Sequence, residues 1–148
     1  MKIAIGSDHA GFEMKGLLAT WLREMGHEPL DCGTFSADSV DYTEFAQAVG
    51  DAINTQKTEL GILICGTGQG SAMAANKIRG IRAALCNDPY SSRLTREHNN
   101  ANVLVMGSRV IGPGLAREVV EAFLGTPFSQ AERHQRRIDK LMLLEQTM

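Results

Sequence analysis

Apolar and polar positions change period repeatedly along the chain, and each change marks an element. Lys2–Ser7 is a short apolar run of strand character. After it Met14, Leu17, Leu18, Trp21, Leu22 and Met25 recur at helical spacing, a face that Gly26 should stop. Glu28–Asp31 reads as a weaker second strand. Asp41-Tyr42-Thr43-Glu44 has the form of a capping box, opening a helix with Tyr42, Phe45, Ala46, Val49 and Ile53 on its apolar face. Leu60–Cys65 has no polar side chain at all, as expected of a strand covered on both faces. A helix over about 69–77 and a strand over Arg82–Cys86 follow. Asp88-Pro89 supplies a cap and a first-turn proline for a helix running to about His98. Val103–Met106 is a fifth strand, and Gly112-Pro113 opens a helix with Leu115, Val119, Val120 and Phe123 on one face. A last amphipathic helix, from about Ser129 to Gln146, carries Ile138, Leu141, Met142 and Leu144.

Strand and helix alternate throughout, which predicts an α/β fold with a doubly wound, five-stranded parallel sheet and helices on both faces. The expected strand order is 2-1-3-4-5, in one domain spanning residues 1–148 without repeat or linker. Ligands bind such sheets beyond the carboxyl ends of the strands, where the winding reverses. With this order the reversal lies between the first and third strands. Ser7–Gly11 and Cys65–Ser71 are therefore the loops to inspect first.

Composition narrows the picture. The 148 residues carry 15 basic and 17 acidic side chains, a net charge of −2, without the basic excess that a nucleic-acid surface needs. The apolar start is too short for a signal peptide, and no run is long enough to span a bilayer. The three cysteines, Cys32, Cys65 and Cys86, are odd in number and far apart. They read as reduced thiols of a cytoplasmic protein. No His, Cys or Asp grouping has metal-ligand spacing, so no metal is expected.

Candidate chemistry concentrates in Cys65-Gly66-Thr67-Gly68-Gln69-Gly70-Ser71. Its glycines let backbone N–H groups approach a ligand, and the following helix start adds partial positive charge, so the loop is a cradle for anions. It lacks the lysine of a Walker A loop. As a dinucleotide fingerprint it has Gly66 and Gly68 but Ser71 in the third place, with Asp88 twenty residues after Gly68 as a ribose-binding acid. A thiol at such a helix start favours the thiolate and could serve as base or nucleophile. A buried cysteine that merely fills space is the equally good alternative. Asp8-His9 suits proton transfer or hydroxyl binding, although Asp8 could simply cap a turn. His98 could be catalytic or could complement a helix dipole. Arg133 and Arg137 share a helix face and suit a phosphate, with Arg109 a third cation for the same anion, unless the run is only a solvated basic face.

Taken in order, Gly6–Gly11 (GSDHAG), Asp41-Tyr42, Cys65–Lys77 (CGTGQGSxxAANK), Gly80–Ala84 (GIRAA), His98–Leu104 (HNxANVL), Gly107–Arg109 (GSR) and Arg133–Arg137 (RHxxR) resemble the type B ribose-5-phosphate isomerases. Galactose-6-phosphate isomerase subunits share that family. The resemblance covers nearly the whole chain. It implies interconversion of D-ribose 5-phosphate and D-ribulose 5-phosphate, a pentose phosphate pathway reaction, through a cis-enediolate and with no cofactor. On this resemblance Cys65 shuttles the proton, Gly66–Gly70 including Gly68 and Gln69 bind the oxyanion, and Thr67 borders that loop. His98 opens the sugar ring, assisted by Asp8. His9, Arg109, Arg133 and Arg137 hold phosphate, and Asn99 contacts a hydroxyl. The resemblance also implies a homodimer or a dimer of dimers with a site built from two chains. His98, Asn99 and Arg109 would come from the partner, and the last helix would pack across the interface. Two further functions stay open at this point: a nucleotide-dependent redox enzyme using the glycine loop, and a non-catalytic binding subunit.

Overall fold

Three apolar, buried strands and two more-exposed ones at the edges stack side by side into one sheet. The computed structural model describes residues 1–147. In chain order the elements are β1 (Lys2–Ser7), α1 (Phe12–Glu24), β2 (Glu28–Asp31), α2 (Tyr42–Asn54), β3 (Leu60–Cys65), α3 (Gln69–Ala75), β4 (Ala83–Leu85), α4 (Pro89–Asn99), β5 (Val103–Gly107), α5 (Pro113–Gly125) and α6 (Glu132–Leu143). Short 3-10 turns at His9–Gly11 and Leu144–Thr147 complete them. All strand pairs are parallel, so the doubly wound α/β class holds. No described helix is long and apolar enough to cross a membrane.

The strand order is β2-β1-β3-β5-β4, not 2-1-3-4-5. The last two strands are exchanged, for a visible reason. Every residue of Val103–Gly107 is buried, whereas Ala83–Leu85 is half-buried throughout. The bulkier apolar strand takes the position with two neighbours, and the alanine-rich one takes the edge. Pairing of Cys65 with Gly107 then sets the ends of β3 and β5 side by side.

Right-handed crossovers fix which helix covers which face. α1, α4 and α5 lie on one side, where Ile3, Ile5, Leu22, Ile62, Leu104, Val119 and Phe123 form the larger core. α2 and α3 cover the other through Ala4, Val49, Leu63, Val103 and Val105. Burial of each large aliphatic or aromatic side chain contributes about 1.5–3 kcal/mol. Because α1 and α3 leave adjacent strands toward opposite faces, the sheet opens between β1 and β3. The exchanged order adds a second opening between β3 and β5, since α5 and α3 also part there.

Several local expectations shift. Asp41 stands at the start of α2, but its side chain makes no capping bond. Asp88 does cap α4, its Oδ1 accepting from Ser91 N–H at 2.7 Å, with Pro89 in the first turn. The last helix begins at Glu132, because Gln130 adopts φ +59° and Ser129 Oγ accepts from Ala131 N–H. Leu115 is 38% exposed, and Leu141 and Leu144 are 47% and 59% exposed, so these do not belong to the core of this chain. The fourth strand keeps only three residues. Asn76 closes its outer edge, donating from Nδ2 to Ala83 O and accepting Ala83 N–H at Oδ1.

Candidate active site

The carboxyl end of β3 brings the first group of candidates together. Ser7 pairs with Ile64, and Asp8 N–H donates to Ile64 O, so Asp8 lies beside the start of the Cys65 loop. Asp8 is buried and its Oδ1 accepts Gly11 N–H at 3.1 Å, which makes it a turn cap as well. Gly11 is required there, because a Cβ would stand 2.5 Å from Ile64 O. His9 Nδ1 accepts Val40 N–H at 3.2 Å. That bond places the neutral ring's proton on Nε2, leaving a donor for an anionic oxygen.

The segment after β2 roofs this corner. Ser7 N–H donates to Gly33 O and Thr34 N–H to Ser7 O, each at 2.7 Å. Lys15, buried on α1, locks the segment by donating to Asp31 Oδ1 at 2.6 Å and Thr34 O at 2.7 Å.

Cys65 closes β3 and is 4% exposed; Gly66 after it is half-buried and Thr67 exposed. Thr67 Oγ1 accepts Gln69 N–H, a turn that starts α3. Gly68 has φ +82°, and a Cβ on it would lie 2.4 Å from Leu85 Cδ1, so both conformation and space demand glycine. The Tyr42 ring covers Gly70, where a Cβ would be 2.5 Å from Cζ. Tyr42 borders the loop, whereas the sequence pattern had placed it in the core face of its helix. Its position just after Asp41 in a matched motif was the available signal.

Gly107-Ser108-Arg109 flanks the loop from β5. Ser108 N–H donates to Cys65 O at 2.9 Å, and its Oγ donates to Ala10 O at 2.8 Å, clipping the β1 and β3 loops together. Arg109 N–H donates to Gly66 O at 2.9 Å, and its guanidinium lies against Gly66. Placing Arg109 on the partner supposes that the end of the fifth strand lies far from this loop in a single chain, a supposition that these contacts correct. It followed from the wrong strand order; with β5 next to β3, Arg109 and Cys65 share one corner of one chain.

The remaining candidates form a second group elsewhere. α4 runs back from the carboxyl end of the sheet, so His98 and Asn99 lie beside the amino end of β5. The length of that strand, roughly 13 Å, separates the two ends. α6 packs there too: Ser129 N–H donates to Glu97 O, and the His98 and His134 rings lie 4.3 Å apart. Arg133 and Arg137 are exposed on either side of buried His134, and neither has a carboxylate partner among the described residues. Asn100 and Asn102, from the same motif as His98, are structural. Asn100 O accepts twice from the Arg82 guanidinium, and Asn102 Oδ1 accepts Arg82 N–H.

The other thiols are poor nucleophiles. Burial, then the nearby Asp88 charge, pushes Cys86 up to about 11. Burial, then Asp31, also raises Cys32. Asp88, the candidate ribose-binding acid of a dinucleotide site, spends its carboxylate on Ser91; that bond holds it below the usual carboxylate range.

Residues 3–141 match the family described as Ribose/Galactose Isomerase. The chain belongs to the ribose/galactose isomerase family. Among the family's members, it is 46% identical to ribose-5-phosphate isomerase B of Escherichia coli K12, over 98% of this chain and 97% of that one. A ribose-5-phosphate isomerase B structure from Clostridium thermocellum superimposes with a TM-score of 0.97 at 44% identity, covering 99% of each chain. The Mycoplasma genitalium enzyme, solved with bound ribulose-5-phosphate, gives 0.93 at 40% identity, over 99% and 97% of the two chains. Within this family fold, the two groups of candidates occupy opposite ends of one subunit's sheet.

Proposed function

We propose that this chain, acting as one domain over residues 1–148, interconverts D-ribose 5-phosphate and D-ribulose 5-phosphate. The observation that carries the reading is the corner where Cys65 ends the central strand, with Asp8 on one side, Arg109 on the other and the glycine loop beyond. The family and the named relatives support the same substrate pair. In the aldose-to-ketose direction Cys65 takes the proton from C2, and the C2–H electron pair forms the enediolate as the carbonyl electrons move to O1. N–H groups of Gly66–Gly70, with Thr67 and Gln69 in that turn, face the developing oxyanion. The thiol then returns its proton to C1 while O2 becomes the carbonyl oxygen and its proton is passed to O1.

The ring-opening acid/base and the remaining phosphate-binding arginines belong to the second group, which lies at the far end of the same chain's sheet from Cys65. We therefore assign His98, Asn99, Arg133 and Arg137 of a second copy to each site, opposite Asp8, His9 and Arg109. His98 opens the ring, with Asp8 assisting, Asn99 meets a sugar hydroxyl, and His9 with the arginines holds the phosphate dianion. Leu141, Leu143 and Leu144, exposed along the last helix and the turn after it, suit packing across that dimer. Three unpaired thiols fit a reducing compartment, so we place the reaction in the cytoplasm as a pentose phosphate pathway step.

A kinetic panel tests the substrate. Ribose 5-phosphate should be turned over with higher kcat/KM than allose 6-phosphate or galactose 6-phosphate. A preference for either six-carbon sugar would overturn the assignment, and no turnover of any would return the chain to a binding role.

A further inference from the structure

The second group contains one imidazole that the mechanism leaves unused. His134 is 6% exposed, its ring centroid 4.3 Å from that of His98 with the planes 34° apart. Its Nδ1 lies 2.6 Å from Ser129 Oγ. Ser129 is itself fixed at both ends: Oγ accepts Ala131 N–H at 3.1 Å, and Ser129 N–H donates to Glu97 O at 3.0 Å. The contacts close a loop from the backbone beside His98, through Ser129 and His134, back to the His98 ring.

An imidazole in the last turn of a helix turns easily about its outer side-chain torsion, which has broad wells. Proton transfer tolerates little of that freedom, because the donor must sit within hydrogen-bond reach of its target. We propose that His134, anchored by Ser129, is a positioning residue that holds the His98 imidazole in the orientation from which it opens the sugar ring. The inference rests on the role given to His98 above. Burial, then Arg133, His98 and Arg137, pushes the His134 imidazole toward its neutral form, with Glu97 opposing.

Ring opening can be separated from proton transfer because only one of the two sugars cyclises. Ribulose 5-phosphate carries its phosphate on the oxygen that would close a five-membered ring, so it stays open. Enzyme-catalysed exchange of its C1 proton with D2O requires the Cys65 chemistry and not ring opening. The readout is the ratio of ribose 5-phosphate turnover to this exchange, with KM measured alongside. His134→Ala should lower the ratio by about 10-fold or more, since small displacements of catalytic groups cost up to roughly 100-fold. His134→Phe, which keeps a flat ring against His98 but loses the Ser129 bond, should restore only part of it. Should His134→Ala fail to fold, Ser129→Ala removes the anchor without emptying the core and should lower the ratio in the same direction.

His98→Asn is the reference and should lower the ratio further. If it does while the His134 and Ser129 variants keep the wild-type ratio, or lose both activities equally, the positioning role is wrong. If His98→Asn itself leaves the ratio unmoved, the ring-opening role of His98 fails and the inference falls with it.

Discussion

The two groups of candidate residues are built in opposite ways. Around Cys65 nearly every position is held by backbone: Ser108 and Arg109 donate to Cys65 and Gly66, Asp8 donates to Ile64, and Gly11, Gly68 and Gly107 leave no room for a Cβ. Around His98 the charges stand on helix faces, with Arg133 and Arg137 exposed and unpaired among the described residues. In the proposed reaction the first is a preorganised surface for proton transfer, where sub-ångström placement counts. The second is a set of long cationic arms that gain geometry only when an anion binds. Stability and recognition are therefore separable here, and substitutions in the two regions should fail differently.

The sharpest break comes from the sulfur. Cys65→Ala should lower kcat for ribose 5-phosphate by roughly 10²–10⁴-fold, the usual loss for a proton-transfer group, while substrate still binds. Near-wild-type turnover in that variant, read from a coupled assay, would remove Cys65 from the chemistry. Next in size is a paired contrast between the regions. Gly68→Ala forces an L side chain to φ +82° against Leu85 and Met106 and should cost about 2–4 kcal/mol of stability in urea unfolding. Arg137→Ala should change stability by less than about 0.5 kcal/mol, as at any exposed site. It should instead raise KM by roughly 10-fold or more, through the lost charge-assisted bonds to phosphate. Equal stability losses in the two variants would erase the distinction drawn above.

Much of the architecture was legible because it is written locally. Lys2–Ser7, Glu28–Asp31 and Leu60–Cys65 begin and end where the apolar pattern says, and Asp88-Pro89 opens α4 as its residue types demand. Which strands become neighbours is not a local property. Val103–Met106 and Arg82–Cys86 were both visible as strands, but their exchange depends on which one the two helical layers bury better. The misplaced order carried Arg109 with it, since its distance from Cys65 is set by strand neighbours and not by sequence separation. Tyr42 and His134 escaped for a related reason. An apolar ring in a helical pattern and an imidazole inside a basic run look the same whether they pack on bulk core or on a functional loop. The leucines of the last helix showed amphipathicity correctly, but periodicity does not say whether a face is covered by its own chain or by another.

The central claim is that a complete site needs Cys65 from one copy and the α4–α6 arms from another, and co-expression of two disabled chains tests it directly. Cys65→Ala and Arg137→Ala chains, differently tagged and purified as the mixed dimer, should recover roughly half the wild-type kcat/KM, well above either parent. A two-fold dimer has two equivalent sites, and only one of them then holds both intact halves. A mixed dimer no more active than its Cys65→Ala and Arg137→Ala parents would show that each chain's two groups serve the same site, contradicting the account.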